Sequence, residues 1–234
     1  MKIALACAAA ALSLSFSTAA FAQVASTNPY PTMAPVEKYL MPRDAEIEMA
    51  RSAAPPSISD HATVLYMTKT GYVTAVAGTN GWTCLVGRMW SAGLDDDEFW
   101  NPKGRGAACL NPEAVQSVLP FYVARAKWAL AGDSRDEIAK KSQAAYASHQ
   151  FTEPTGFALM LSKASYLNDG VKGPWRPHIM PFVAKAKLGS WAAGFKGSPI
   201  MSPATDTFRA YEPVTIVILA PYWSDGSPAP PLKP

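Results

Sequence analysis

The sequence places an aromatic, a guanidinium and an imidazole side chain close together in one short stretch. Trp175, Arg176 and His178 lie within four residues, and Pro174 and Pro177 restrict the backbone around them. A guanidinium pairs with anions and an indole packs against flat rings, so the three side chains could bind an anionic or planar ligand. The structural alternative is that Trp175 packs over the end of a sheet while His178 bonds a main-chain carbonyl. The sequence leaves both interpretations open.

Two further candidates follow the last predicted strand. Trp223 and Asp225 belong to the sequence Trp-Ser-Asp-Gly, which is typical of a turn in which the Asp carboxylate accepts hydrogen bonds from main-chain amides. A catalytic Asp225 would need a partner at hydrogen-bond distance, and His178 is the best one available. We therefore also consider a hydrolase in which His178 acts as general acid or base, oriented by Asp225 or Asp169. The candidate ligand-binding residues are Trp175, Arg176, His178, Trp223 and Asp225.

The common catalytic and metal-binding motifs are missing from the sequence. It contains no GxSxG or SxxK serine-nucleophile motif and no glycine-rich phosphate-binding pattern. The three histidines show no HExxH, HxH or HxxxH spacing, so we predict no metal site and no cofactor. The acidic run at 95–98 lacks the ligand spacing of a helix-flanked calcium loop, and a solvated acidic turn is the preferred interpretation. Whether the protein is an enzyme stays undecided.

A signal peptide and a pair of cysteines predict an exported protein. Residues 1–22 combine Lys2, a short apolar core and an Ala-Phe-Ala cleavage pattern, so the mature chain would begin at Gln23. Two cysteines would then remain, Cys84 and Cys109, and in an oxidising compartment such a pair predicts a disulfide. In the chain-entropy model this bridge contributes roughly 3 kcal/mol to stability. We expect a periplasmic or secreted location.

The charge of the mature chain is close to neutral. Removing the signal peptide takes one basic residue from the 21 and none of the 18 acidic ones, which leaves a formal charge of +2. A nucleic-acid partner is not expected, because it would require clustered Lys and Arg. No apolar run after the signal peptide is long enough to cross a bilayer, so no transmembrane segment is predicted. The expected partner is an unknown small molecule or a component of the cell envelope.

A sheet must position the candidate residues, and its clearest part is the stretch 62–88. Runs of β-branched and aromatic residues predict three strands there, and Asn80-Gly81 favours a hairpin, so we expect an antiparallel meander. Pro181 should keep its strand at a sheet edge or interrupt it. The predicted strands cover residues 63–67, 72–76, 82–86, 156–162, 178–183 and 213–220.

Helices are predicted both before and after the first three strands. Residues 42–53 form one predicted helix, and Asn111 is a strong N-cap for a second, which Pro120 should kink or split. Ser134 and Glu137 form a capping box for a third helix that runs to about residue 148. The later stretch 181–194 is expected to be a loop with at most one helical turn.

The order of these elements predicts an α+β fold. Strands come in a run before the helices instead of alternating with them, so we expect a mainly antiparallel sheet of five or six strands with helices packed on one face. A single domain would cover residues 42–224. Pro-rich sequence predicts an extended segment at 23–41 and a tail at 225–234.

Several short motifs accompany the signal peptide, at residues 50–55, 78–81 with Cys84, 99–102, 177–178 and 223–226. Together they resemble those of a group of exported bacterial proteins of unassigned function. The resemblance extends over most of the mature chain, although Pro181 stands where an aromatic residue would be expected. It implies no activity, substrate or cofactor.

Three functions are compatible with these observations. The first is a binding or interaction domain that uses the loop 175–178, the second is a hydrolase that uses His178, and the third is a structural envelope protein without a small-molecule ligand. A cleft between Trp175, His178 and Trp223 would favour the first two. A filled sheet end would favour the third.

Overall fold

One mixed sheet organises the computed structural model, which describes residues 28–91, 93–166, 168–169, 175–192, 195–196, 200, 214–215 and 217–230. The predicted signal peptide, 1–22, lies outside the described residues. The described strands are β1 (Thr63–Thr68), β2 (Gly71–Val76), β3 (Thr83–Gly87), β4 (Gly106–Leu110), β5 (Phe157–Met160), β6 (His178–Val183), β7 (Val214–Thr215) and β8 (Ile218–Leu219).

The strands lie in the order β2-β1-β3-β4-β5-β6-β7, and β8 also pairs with β6. Phe182 pairs with Thr215 in β7 and His178 pairs with Leu219 in β8, and both pairs fit one antiparallel register. β7 and β8 therefore follow each other along one edge of β6, and the sheet is seven strands wide. The α+β class is confirmed, whereas the predicted count of five or six strands is wrong because the predicted strands do not include residues 106–110, which form β4.

β1 and β3 run parallel, so the predicted antiparallel meander is wrong. Val64 pairs with Cys84 in parallel register, while β2 lies on the other side of β1. The chain after β2 therefore crosses the start of β1 instead of forming a hairpin. Gly78 lies at this crossing, where a Cβ would come within 2.1 Å of the Thr63 amide nitrogen. Close approach of two backbones, and not a positive φ, requires the glycine.

Helices cover both faces of the sheet, and not one face as predicted. Ala50 and Ala53 of α1 pack against the face that presents Val64 and Cys84. Helices α3 and α4, with Ala145 of α5, lie over the opposite face, so the expectation that the helices after Asn111 share a face is confirmed. The described α-helices are α1 (Arg43–Arg51), α2 (Pro56–Ser59), α3 (Pro112–Ser117), α4 (Leu119–Leu130) and α5 (Arg135–Ala147).

The predicted helix starts are confirmed. The Asn111 side chain accepts a hydrogen bond from the Ala114 amide at 3.1 Å, which satisfies one of the free N–H groups at the start of α3. Pro120 lies in the first turn of α4, directly after the break between α3 and α4. Ser134 and Glu137 form the reciprocal capping box at the start of α5.

β6 is an interior strand despite Pro181. It pairs with β5 on one side and with β7 and β8 on the other, so the predicted edge position is wrong. On the second side, the described pairing stops at Ile179 and resumes at Phe182. Pro181, which has no N–H to donate, falls between these two residues, as expected for an interruption of the ladder.

Both Pro-rich ends make ordered contacts where they are described. In the N-terminal segment, Val36–Tyr39 is a 3-10 helix, and the hydroxyl of the buried Tyr39 donates to the Trp100 carbonyl at 2.7 Å. At the C-terminal end, Tyr222 forms a bridge with Pro228, so the chain folds back on itself. Within the described part of the chain, no helix has the length and apolar character needed to cross a bilayer.

Candidate functional site

His178 is a buried residue of β6, and its described polar contact is internal. Only 3% of the residue is exposed, and ring nitrogen Nδ1 lies 2.7 Å from the Arg176 carbonyl oxygen. The Trp175 ring stands edge-on to the imidazole, with 6.1 Å between ring centroids. Burial lowers the pKa of His178, because an imidazolium would lose hydration there. The carbonyl contact is the one that the structural alternative predicts for His178.

The other polar group of the loop is also engaged within the chain. The Arg176 guanidinium donates a hydrogen bond to the Pro230 carbonyl. It therefore ties the approach to β6 to the C-terminal segment. Trp175 is half-buried beside them. The aromatic, guanidinium and imidazole groups lie together as the sequence suggests, and the guanidinium and the imidazole each contact a main-chain carbonyl.

Trp223 and Asp225 form a turn of their own. Trp223 is buried, and its amide donates to the Ser227 carbonyl at 2.9 Å. The exposed Asp225 carboxylate accepts from the Lys163 ammonium at 2.6 Å and from the Ser227 hydroxyl at 2.6 Å. These two donors hold the pKa of Asp225 well below its usual range. The predicted turn geometry is present, with Asp225 serving as its acceptor.

The predicted pairing of His178 with a carboxylate is not among the described contacts. Asp225 binds Lys163, and Asp169 accepts hydrogen bonds from the Tyr30 hydroxyl at 2.6 Å and from the Lys103 ammonium at 2.9 Å. Within the described ranges, no hydrogen bond joins His178 to either Asp. Among the described residues, the polar partner of the imidazole is the Arg176 carbonyl.

The predicted disulfide is present and occupies the centre of the sheet. Cys84 of β3 and Cys109 of β4 are directly paired residues of neighbouring antiparallel strands, with Cα atoms 4.0 Å apart. Both residues are fully buried under α1. The bond therefore fastens β4 to the sheet and serves structure. Its presence fits an oxidising compartment.

A buried ion pair, which the sequence pattern did not indicate, links α1, β1, the 3-10 helix Val36–Tyr39 and the residue that follows β3. Glu46 of α1 accepts from the Arg88 guanidinium at 2.9 Å and from the Met67 amide at 3.1 Å. Arg88 also donates to the Tyr39 carbonyl at 2.7 Å. Burial raises the pKa of Glu46, although the nearby Arg88 acts in the opposite direction. We assign the pair a structural role, because its described contacts all lie within the core.

An apolar groove lies where α1 does not cover the sheet. α1 packs on β1, β3 and β4, and the groove opens beyond them, over β5, β6 and β8. Its volume is about 510 Å³, and its walls are almost entirely apolar. One side is closed by the 3-10 helix Lys185–Trp191, in place of the loop with one helical turn that the sequence suggests. Side chains in the walls include Phe157, Ile179, Pro181, Val183, Trp191 and Ile218.

The strand pattern explains how the groove walls arise. Ile179, Pro181 and Val183 alternate along β6 and so point to one face of the sheet. Phe157 of β5 is on the same face, and its ring packs edge-on against Trp82 at 5.7 Å. The sequence does not reveal this site, because its walls come from remote segments. The available local signal was Trp191, an aromatic residue in the lysine-containing stretch after β6.

The groove is therefore a candidate site that the structure adds to the predicted loop at 175–178. Among the described wall residues of the groove, Lys187 is charged, and its ammonium forms an ion pair with Glu153. Among the described residues, no three His, Cys, Asp or Glu side chains are grouped to hold a metal ion. Comparison with protein-family models, with curated proteins and with solved structures found no match for the chain.

Proposed function

We propose that this is an exported protein that binds a small apolar molecule in the groove over β5, β6 and β8. The observation that carries the proposal is the groove itself. Its volume of about 510 Å³ is in the range of small-molecule sites, and apolar walls are characteristic of such sites. The disulfide and the predicted signal peptide support a location in an oxidising compartment.

The groove walls select a ligand by the shape and the hydrophobicity of that ligand. Phe157, Ile179 and Ile218 offer no hydrogen bonds, and Lys187 already has a carboxylate partner in Glu153. Binding must therefore be driven by removal of apolar surface from water. Each 100 Å² of apolar ligand surface that is buried contributes about 2.5 kcal/mol before the entropy of association is subtracted. A flat or chain-like hydrocarbon with few polar atoms fits this chemistry.

Binding can be tested with N-phenyl-1-naphthylamine, an uncharged apolar dye whose fluorescence increases away from water. We expect saturable binding with one site per chain and a Kd on the order of 10 μM. The variant Ile218→Trp places a larger side chain in the groove and should weaken binding about tenfold or more, because the added ring occupies ligand space.

Val73→Trp is the matched control. Val73 is 40% exposed on β2, at the opposite edge of the sheet, so the same bulky side chain there should leave dye binding unchanged. Thermal unfolding would verify that both variants are folded. Equal loss of binding in the two variants, or no saturable binding by the parent, would contradict the proposal.

A further inference from the structure

Two exposed aromatic side chains lie in and just after the 3-10 helix that forms one wall of the groove. Trp191 ends the 3-10 helix Lys185–Trp191, lines the groove and is 37% exposed. Phe195 follows it and is 61% exposed. The Phe195 amide donates to the Ala192 carbonyl at 3.3 Å, so Phe195 lies close to the end of this 3-10 helix. We call Trp191 and Phe195, with Lys187 and Lys196, the aromatic rim.

The sequence on both sides of the aromatic rim is positively charged. The sequence from 170 to 205 contains five Lys or Arg residues and no Asp or Glu. Within the rim, Lys187 and Lys196 are both exposed. The described counter-charge is Glu153, which pairs with Lys187. A surface with exposed aromatic rings next to lysines complements an interface that is apolar inside and anionic outside.

We propose that the aromatic rim docks the protein on the surface of an anionic phospholipid membrane. Trp and Phe side chains enter the headgroup region of a bilayer, and nearby lysines interact with anionic lipid headgroups. In this orientation the groove opens towards the lipid, so an apolar ligand passes between membrane and groove without crossing water. The route of the ligand depends on the proposed function of the groove, whereas the docking does not.

Vesicle flotation tests the docking directly. The mature chain is mixed with vesicles of phosphatidylcholine alone, or of phosphatidylcholine with phosphatidylglycerol. We expect it to float with the anionic vesicles, to float much less with the neutral ones, and to be released by salt because exposed charges are screened. No flotation with anionic vesicles would overturn the proposal.

Variants locate the contact. Phe195→Ser should reduce binding to anionic vesicles about fivefold or more, because the ring enters the interface. Tyr222→Ser is the control, since Tyr222 is 57% exposed and belongs to the C-terminal turn, outside the rim. Lys196→Gln should weaken binding by about fivefold, and Lys140→Gln, on the exposed side of α5, should not. Membrane binding that is insensitive to both rim variants would overturn the proposal.

Dye binding distinguishes the proposal of membrane docking from the proposal that the groove binds a ligand. Phe195 does not line the groove, so Phe195→Ser should bind N-phenyl-1-naphthylamine like the parent while losing vesicle binding. Loss of dye binding in Ile218→Trp with flotation intact supports two separable properties. Flotation by a parent protein that binds no dye would leave the docking correct and the proposed ligand wrong.

Discussion

At His178, the ring nitrogen Nδ1 faces a carbonyl oxygen of its own loop, and the residue is almost completely buried. A ring held in this way helps to fix the approach to β6. Burial also makes the protonated form unfavourable, so the pKa of His178 is lower in the folded protein than its ordinary value. The imidazole is thus a structural group whose charge state is linked to stability.

We predict that His178 makes the protein less stable in mild acid. Between its lowered folded pKa and the unfolded pKa of about 6.5, the unfolded chain binds more protons than the folded one. The free energy of unfolding should therefore decrease as the pH falls below about 6.5. Urea unfolding of the parent and of His178→Gln at a series of pH values isolates this contribution.

The difference in stability between the parent and His178→Gln should shift in favour of the variant as the solution becomes more acidic. A difference that is constant between neutral and mildly acidic pH would show that the imidazole titrates alike in both states. A parent that gains stability relative to the variant in acid would show that the folded protein favours the charged ring.

Single residues also show how much of the site the sequence could reveal. The disulfide between Cys84 and Cys109 follows from the number of cysteines and the predicted compartment, without knowledge of the fold. The local grouping of Trp175, Arg176 and His178 is equally visible in sequence. Its hydrogen-bond partners are not, because a main-chain carbonyl carries no sequence signal. The groove walls were missed since they meet only after β5, β6 and β8 have assembled.

At the scale of elements, the crossing of the chain over β1 determines how the first three strands pair. Thr79 donates its amide to the His61 carbonyl at 2.8 Å, and the Gly78 amide donates to the Thr63 hydroxyl at 3.1 Å. These bonds hold the connection against the start of β1. β3 can then lie parallel to β1 on the side away from β2.

We predict that Gly78→Ala destabilises the fold by about 2–4 kcal/mol. Its Cβ would lie 2.1 Å from the Thr63 nitrogen and 2.3 Å from the Ala62 carbonyl carbon, and backbone atoms cannot move aside as a side chain can. Chemical denaturation would measure the loss. Gly189→Ala is the control, because nothing lies within 4 Å of its Cβ position. Equal stability of Gly78→Ala and the parent would contradict the close crossing.

The sequence predicts the elements whose signals lie in neighbouring residues. It does not predict those that depend on contacts between residues far apart in the chain. The caps at Asn111 and Ser134 are formed by residues within one helical turn, so sequence reveals them. β1 pairs in parallel with β3 because the connecting chain crosses the start of β1. The sequence of this connection contains Asn-Gly, which is also the signal for a hairpin. β4 was missed because Ala107 and Ala108 are poor strand formers; Ala107 is small where α1 packs closely on the sheet.

At the scale of the whole molecule, the disulfide joins two central strands and closes a loop with a sequence separation of 25 residues. We predict that the double variant Cys84→Ala/Cys109→Ala lowers the free energy of unfolding by roughly 3 kcal/mol, since the unfolded chain gains freedom. Guanidinium unfolding of the oxidised parent and the variant measures this. Alkylation of the unreduced parent under denaturing conditions should find no free thiol at Cys84 or Cys109, and two modified cysteines would refute the bridge.

The strand order has a further consequence for how the chain is built. Beyond β3, each new strand joins the free edge left by the strand before it, from β4 to β5, then β6, then the edge formed by β7 and β8. A chain that emerges with its N-terminus first can therefore extend the sheet in one direction, without waiting to insert a strand between two others. The β6 edge stays open until residues 214–219 arrive. During that interval, a chaperone or a second nascent chain would be able to bind the unpaired backbone of β6.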